Sequence, residues 1–142
     1  MTVSKSIHHI NYLVKDLTES VAYFELLLEQ SAEYEHLAQR HVKTARFLLG
    51  KTYLVLVCPE NEDSDVGKIL AQRGEGLFLL SLATQDLSKA KGALQHKGIH
   101  FTEGSERNGL ADWRVADLNA PDAFGPVLQL CQQTGRTDDK PI

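Results

Sequence analysis

Residues 14–20 read VKDLTES and residues 84–90 read TQDLSKA, so one junction recurs at an offset of 70 residues. In each copy an aspartate, Asp16 or Asp86, stands where a helix N-cap belongs, its carboxylate placed to accept from the backbone N–H three residues on. At the first copy Glu19 completes the spacing of a capping box. Working outward from Asp16, residues 7–14 alternate, with Ile10, Tyr12 and Val14 on one side and Ile7, His9, Asn11 and Leu13 on the other, the period of a strand. Beyond it, Leu17, Val21, Phe24 and Leu28 are spaced by four, three and four residues, the stripe of an amphipathic helix. The second copy repeats this order. GLFLLSLA reads as a strand, and Leu87, Ala90 and Leu94 share one face of the helix that follows.

Three extended segments follow the first helix: AEYEHLAQ, KTARFLLG and TYLVLVC, the last two joined by a turn at Gly50-Lys51. PENEDSDVGKILAQRGEG then shifts to acid, proline and glycine, and reads as a linker with one short helix turning Val66, Ile69 and Leu70 inward. In the second half DWRVADLN and GPVLQLCQQ supply further strands around the turn-rich NAPDAFG. An internal repeat of strand, helix and three strands excludes a doubly wound parallel sheet, because strand and helix do not keep alternating. The fold expected is α+β, two tandem βαβββ modules at about 6–60 and 75–133, a linker at 60–75, and a disordered tail at 134–142. Their mixed, mostly antiparallel sheets are expected to form one cup-shaped domain.

With 142 residues, 42% hydrophobic and 24% charged, the chain is sized for one globular domain. Its net charge of -4 gives no basic field for nucleic acid or an anionic membrane surface. MTVSKSIHH has no apolar signal-peptide core, and no window approaches a membrane span, so a cytoplasmic protein is expected. Cys58 and Cys131 form no CxxC pair and read as free thiols.

The stretches IHHINYLVKDLTESVAYFELLLE, GKILAQRGEGLFLLSLATQDLSKAKGALQHKGIHF and GPVLQLCQQ together resemble the vicinal oxygen chelate superfamily, the glyoxalase, bleomycin resistance and dioxygenase group. The resemblance covers residues ~6–133 and is nearest to methylmalonyl-CoA epimerase. It implies paired modules, a homodimer, and in metal-dependent members four ligands from the first and last strands of each module. Carried over, those positions fall on His9, Val55, Leu79 and Gln129. Valine and leucine have no lone pair to give. A divalent Ni, Co, Mn or Zn ion needs several fixed N or O donors, and enolate chemistry needs a base that the Gln129 amide cannot be. His9 and Gln129 alone remain as metal candidates, and the expectation is no cofactor, with a divalent metal as the alternative.

Strand phase places Leu77, Leu79, Ser81 and Ala83 opposite the helix-facing Phe78, Leu80 and Leu82. His9, Asn11, Ser81 and Gln129 among Val55 and Leu79 then compose an apolar wall with a few polar groups, which suits a small molecule. Arg114 is added as a rim residue able to hold an anion, Arg46 being read as its counterpart in the first module. His8 and His9 are expected on opposite strand faces, with no shared role. Glu103 and Glu106 are the acids able to lean over the site, and His36, His41, His96 and His100 read as surface. Two functions compete: metal-free binding of an apolar or amphipathic small molecule, as in the resistance branch, and a lyase or isomerase of the glyoxalase I or methylmalonyl-CoA epimerase type.

Overall fold

The computed structural model describes residue 3 and residues 5–134. Of the expected tail, residues 135–142 lie outside the described residues. Thr134 is held in place, its backbone N–H and its hydroxyl both donating to the Asp112 carbonyl at 3.0 and 2.6 Å.

The element order is the expected double βαβββ. Strand β1 (Ile7–Leu13) leads into helix α1 (Leu17–Leu28), then β2 (Glu33–Leu37), β3 (Val42–Leu49) and β4 (Thr52–Pro59). Helix α2 (Asp65–Arg73) follows. The order then repeats as β5 (Gly76–Ala83), α3 (Leu87–His96), β6 (Arg107–Asn108), β7 (Trp113–Asp117) and β8 (Val127–Gln133). Both aspartate caps form, Asp16 Oδ1 accepting from Glu19 N at 2.9 Å and Asp86 Oδ1 from Lys89 N at 3.0 Å. Gln132 of β8 adds a second acceptor at the start of α3, its Oε1 2.7 Å from Leu87 N. β6 lies in FTEGSERNG, to which the sequence assigned no strand of its own. FTEGSERNG bends at Gly104, which takes a φ of 74°, and pairs only as the isolated bridge Phe101–Leu118 and the two residues of β6.

The chain divides into two compact units, the first spanning His9–Phe78 and the second combining His8 and the residues before it with the chain from Leu79 onward. In the first unit the strand order is β2-β3-β4-β1, with β1 and β4 parallel and the others antiparallel. Its register stacks Ile10, Leu54 and Phe47 in one row and Tyr12, Leu56 and Ala45 in the next. These rows meet Leu17, Val21, Phe24 and Leu28 of α1, the stripe read from the sequence, to form the core. α1 also leaves Tyr23, Leu26 and Leu27 exposed on its outer side.

The second unit has the order β5-β8-β7-β6, with β5 and β8 parallel. The row Leu82, Leu130 and Ala116 packs under Leu87, Ala90 and Leu94 of α3. Because side chains alternate along each strand, the intervening residues form the sheet faces opposite α1 in the first unit and opposite α3 in the second. No helix among the described residues is long and apolar enough to cross a membrane.

Candidate functional site

In the second unit the sheet face opposite α3 carries a row across three strands, Ser81 of β5 beside Gln129 of β8 beside Asp117 of β7. Ser81 is 0% and Gln129 2% exposed. Gln129 Nε2 donates to Asp117 Oδ1 at 2.9 Å, and Arg107 Nη1 lies 3.3 Å from Asp117 Oδ2. Asp117 is further tied through its backbone N–H, which donates to Ser105 Oγ at 3.0 Å. Two oxygens of the row, Ser81 Oγ and Gln129 Oε1, are buried with no hydrogen-bond partner among the described residues. On either side along the strands lie the apolar pair Leu79 and Val127 and the pair Ala83 and Cys131.

The first unit carries a comparable row: Asn11 of β1, Val55 of β4, Arg46 of β3 and Glu33 of β2. Arg46 is 6% exposed and lies between two carboxylates, 3.0 Å from Glu33 and 2.7 Å from Glu35. Its guanidinium carbon stands 5.9 Å from the Tyr53 ring centroid. Asn11 Oδ1 is a third buried oxygen with no partner among the described residues. His9 is buried one register step away, opposite Tyr53.

Arg114 does not join either row. It has the strand parity of Ala116, which packs under α3, and its Nε and Nη1 reach Glu106 at 3.3 Å and Asn108 at 3.0 Å. Glu106 also takes Lys91 of α3 at 2.8 Å, so it belongs to this ion-paired cluster and not over a ligand face. The Lys91 ammonium and the Arg114 guanidinium hold the Glu106 carboxyl below its usual range. The arginine of the faces opposite α1 and α3 is Arg46, with Arg107 behind Asp117. Their signal in the sequence is parity, since Arg46 alternates in step with Thr44, and Asp117 with Trp113 and Val115.

The neighbours His8 and His9 are both buried, although they alternate along β1. Both rings are withdrawn from solvent, at 8% and 3% exposure. His8 packs edge-on against Trp113, with centroids 4.6 Å apart at 83°, its Nε2 2.9 Å from Gln133 Oε1. Its ring also approaches Cys131 Sγ within 4.8 Å. Burial lowers the His8 pKa and raises that of the Cys131 thiol. The imidazole nitrogen and sulfur are soft donors of the zinc or copper kind. Ligation by Cys131 would require a thiolate that its burial opposes.

Residues 8–116 match the model of the glyoxalase/bleomycin resistance protein/dioxygenase superfamily. The chain belongs to that superfamily. Among solved structures it is similar to a Streptomyces coelicolor methylmalonyl-CoA epimerase variant in complex with 2-nitronate-propionyl-CoA, at 26% identity and a TM-score of 0.83, covering 92% of this chain and 95% of that one. The fold is also that of the Mycobacterium tuberculosis methylmalonyl-CoA epimerase, at 21% identity and TM-score 0.85, covering 97% of this chain and 94% of the other. A Bacillus subtilis (strain 168) relative, the uncharacterised protein YqjC, is 24% identical over 128 residues, 89% of this chain and 91% of its own.

Superfamily membership implies a divalent metal, and the donors at the carried-over positions do not fit one. Val55 and Leu79, at 0% and 6% exposure, offer hydrocarbon. Gln129 offers one neutral amide oxygen, its nitrogen being turned to Asp117. Of the four positions only His9 supplies a strong ligand type, too few to hold a divalent ion with open sites for substrate.

Proposed function

We propose that this superfamily member binds a small apolar or amphipathic molecule without a metal, the candidate residues being His9, Asn11 and Val55 on the sheet face of the first unit opposite α1 and, separately, Leu79, Ser81 and Gln129 on the sheet face of the second unit opposite α3. The observation that carries the reading is the pair Val55 and Leu79, buried aliphatic side chains where the resemblance calls for ligands. The unpartnered oxygens of Asn11, Ser81 and Gln129 support it, because buried polar atoms without partners are uncommon in a filled core. Native mass spectrometry of the purified chain, followed by solvent extraction, tests this reading. A released organic molecule is the expected result, and its absence together with a stoichiometric metal would refute it. The homodimer implied by the resemblance is part of the same proposal, and light scattering on the eluting protein reads it directly.

A second reading is favoured by the likeness to the epimerase from Streptomyces coelicolor at 26% identity: an isomerase or lyase with an altered site. Its test is methylmalonyl-CoA epimerisation and methylglyoxal–glutathione isomerisation with Mn, Co, Ni or Zn supplied. Turnover above background with any of them would establish it, and none would remove both reactions.

A further inference from the structure

Ser81 and Gln129 are register partners on parallel strands, which brings their side chains to one place on one face. Each presents a buried oxygen that no described residue satisfies. We propose that Ser81 Oγ and Gln129 Oε1 together receive a neutral hydrogen-bond donor, an amide N–H or a hydroxyl, carried by an otherwise apolar ligand. This rests on the binding reading above and adds the chemistry of the group recognised.

The orientation of the Gln129 amide follows from its neighbour. An ionised carboxylate only accepts hydrogen bonds, so the amide must turn its nitrogen to Asp117 Oδ1, 2.9 Å away, and its oxygen elsewhere. Asp117 cannot swing to meet the oxygen instead. Arg107 Nη1 donates both to Asp117 Oδ2 at 3.3 Å and to the Ser105 carbonyl at 2.6 Å, while Ser105 Oγ accepts from Asp117 N and reaches the Asp117 carbonyl at 3.3 Å. Gln129 Oε1, the atom left without a partner, therefore offers lone pairs alone. A carboxylate or phosphate would set lone pair against lone pair. An ammonium would bury a charge whose natural counter-ion, Asp117, already meets Arg107. A hydroxyl or amide N–H suits both atoms, placing its hydrogen between the lone pairs of Gln129 Oε1 and Ser81 Oγ. The flanking Leu79, Val127, Ala83 and Cys131 make the surroundings apolar.

The test uses two bicyclic probes of one skeleton, indole with an N–H donor and benzoxazole with a ring-nitrogen acceptor, titrated into the full 15N-labelled chain and followed by amide and side-chain NMR shifts. Indole should bind about tenfold tighter, moving the Gln129 side-chain NH2 and Ser81 signals. Gln129→Met should abolish the preference. Asp117→Asn should reverse it, because the new amide turns its oxygen to Arg107 and its nitrogen to Gln129, whose own amide then flips and presents N–H. If Gln129→Met does not fold, Ser81→Ala removes one of the two oxygens with little change of volume and should weaken indole alone. Equal affinities overturn the donor inference while leaving small-molecule binding in place. Binding by neither probe, the two oxygens holding water only, overturns it as well, and if the purified protein also releases no organic molecule the binding reading falls with it.

Discussion

At the scale of single residues, Asp117 holds the buried Gln129 amide and the part-exposed Arg107 guanidinium of the second unit. Asp117→Ala leaves the Gln129 amide nitrogen without its acceptor, while Arg107 keeps the Ser105 carbonyl, and should cost about 1–3 kcal/mol in urea unfolding. Glu106 gives a pH dependence with a definite sign. Its carboxyl is held below the ordinary 4.5 by Lys91 and Arg114. The unfolded chain therefore takes up a proton before the folded one does, and the contribution is present above about pH 4.5 and lost as pH falls through the depressed value. Lys91→Met should flatten the acid limb of the stability curve by less than about 1 kcal/mol, since the pair is part-exposed. The same cluster pairs Arg114 with Glu106 and Asn108, the ion-paired alternative to a rim residue holding an anion. An arginine between Trp113 and Val115 signals an interrupted apolar run, and only strand parity plus the position of α3 tells which side it takes.

Among the elements, the repeated junction was fully legible because its physics is local. An aspartate cap and a 3.6-residue stripe act within a dozen residues, and both caps and both stripes formed as read. Asp16→Ala and Asp86→Ala should each lower stability by about 1 kcal/mol, the second less because Gln132 also serves that helix start. What depends on distant partners was not legible. The approach of His8 to Trp113 joins segments far apart in sequence, and the lock of Asp117 on Gln129 depends on the register of β7 against β8 across the connecting loop. Helix α2 shows the same limit. Its Gly67 has no visible reason in the sequence, yet a Cβ there would stand about 3.0 Å from the Glu62 backbone and in collision with the Asn61 carbonyl. Gly67→Ala should destabilise the chain by about 1–3 kcal/mol, read as a lower urea midpoint.

For the whole molecule, the repeat and the family match account for the architecture, while the proposed chemistry rests on Val55, Leu79 and Gln129, the three of the four carried-over positions at which this chain lacks the ligand that the resemblance implies. A shared fold does not carry activity with it. The central claim is that the protein works without a resident divalent ion, and elemental analysis of tag-free protein, before and after dialysis against Ni, Co, Mn and Zn, tests it most directly. The account predicts far less than one ion per chain, unchanged in Gln129→Met. Near one tightly held ion per chain, lost in Gln129→Met or in His8→Gln, would contradict it and name the donors responsible.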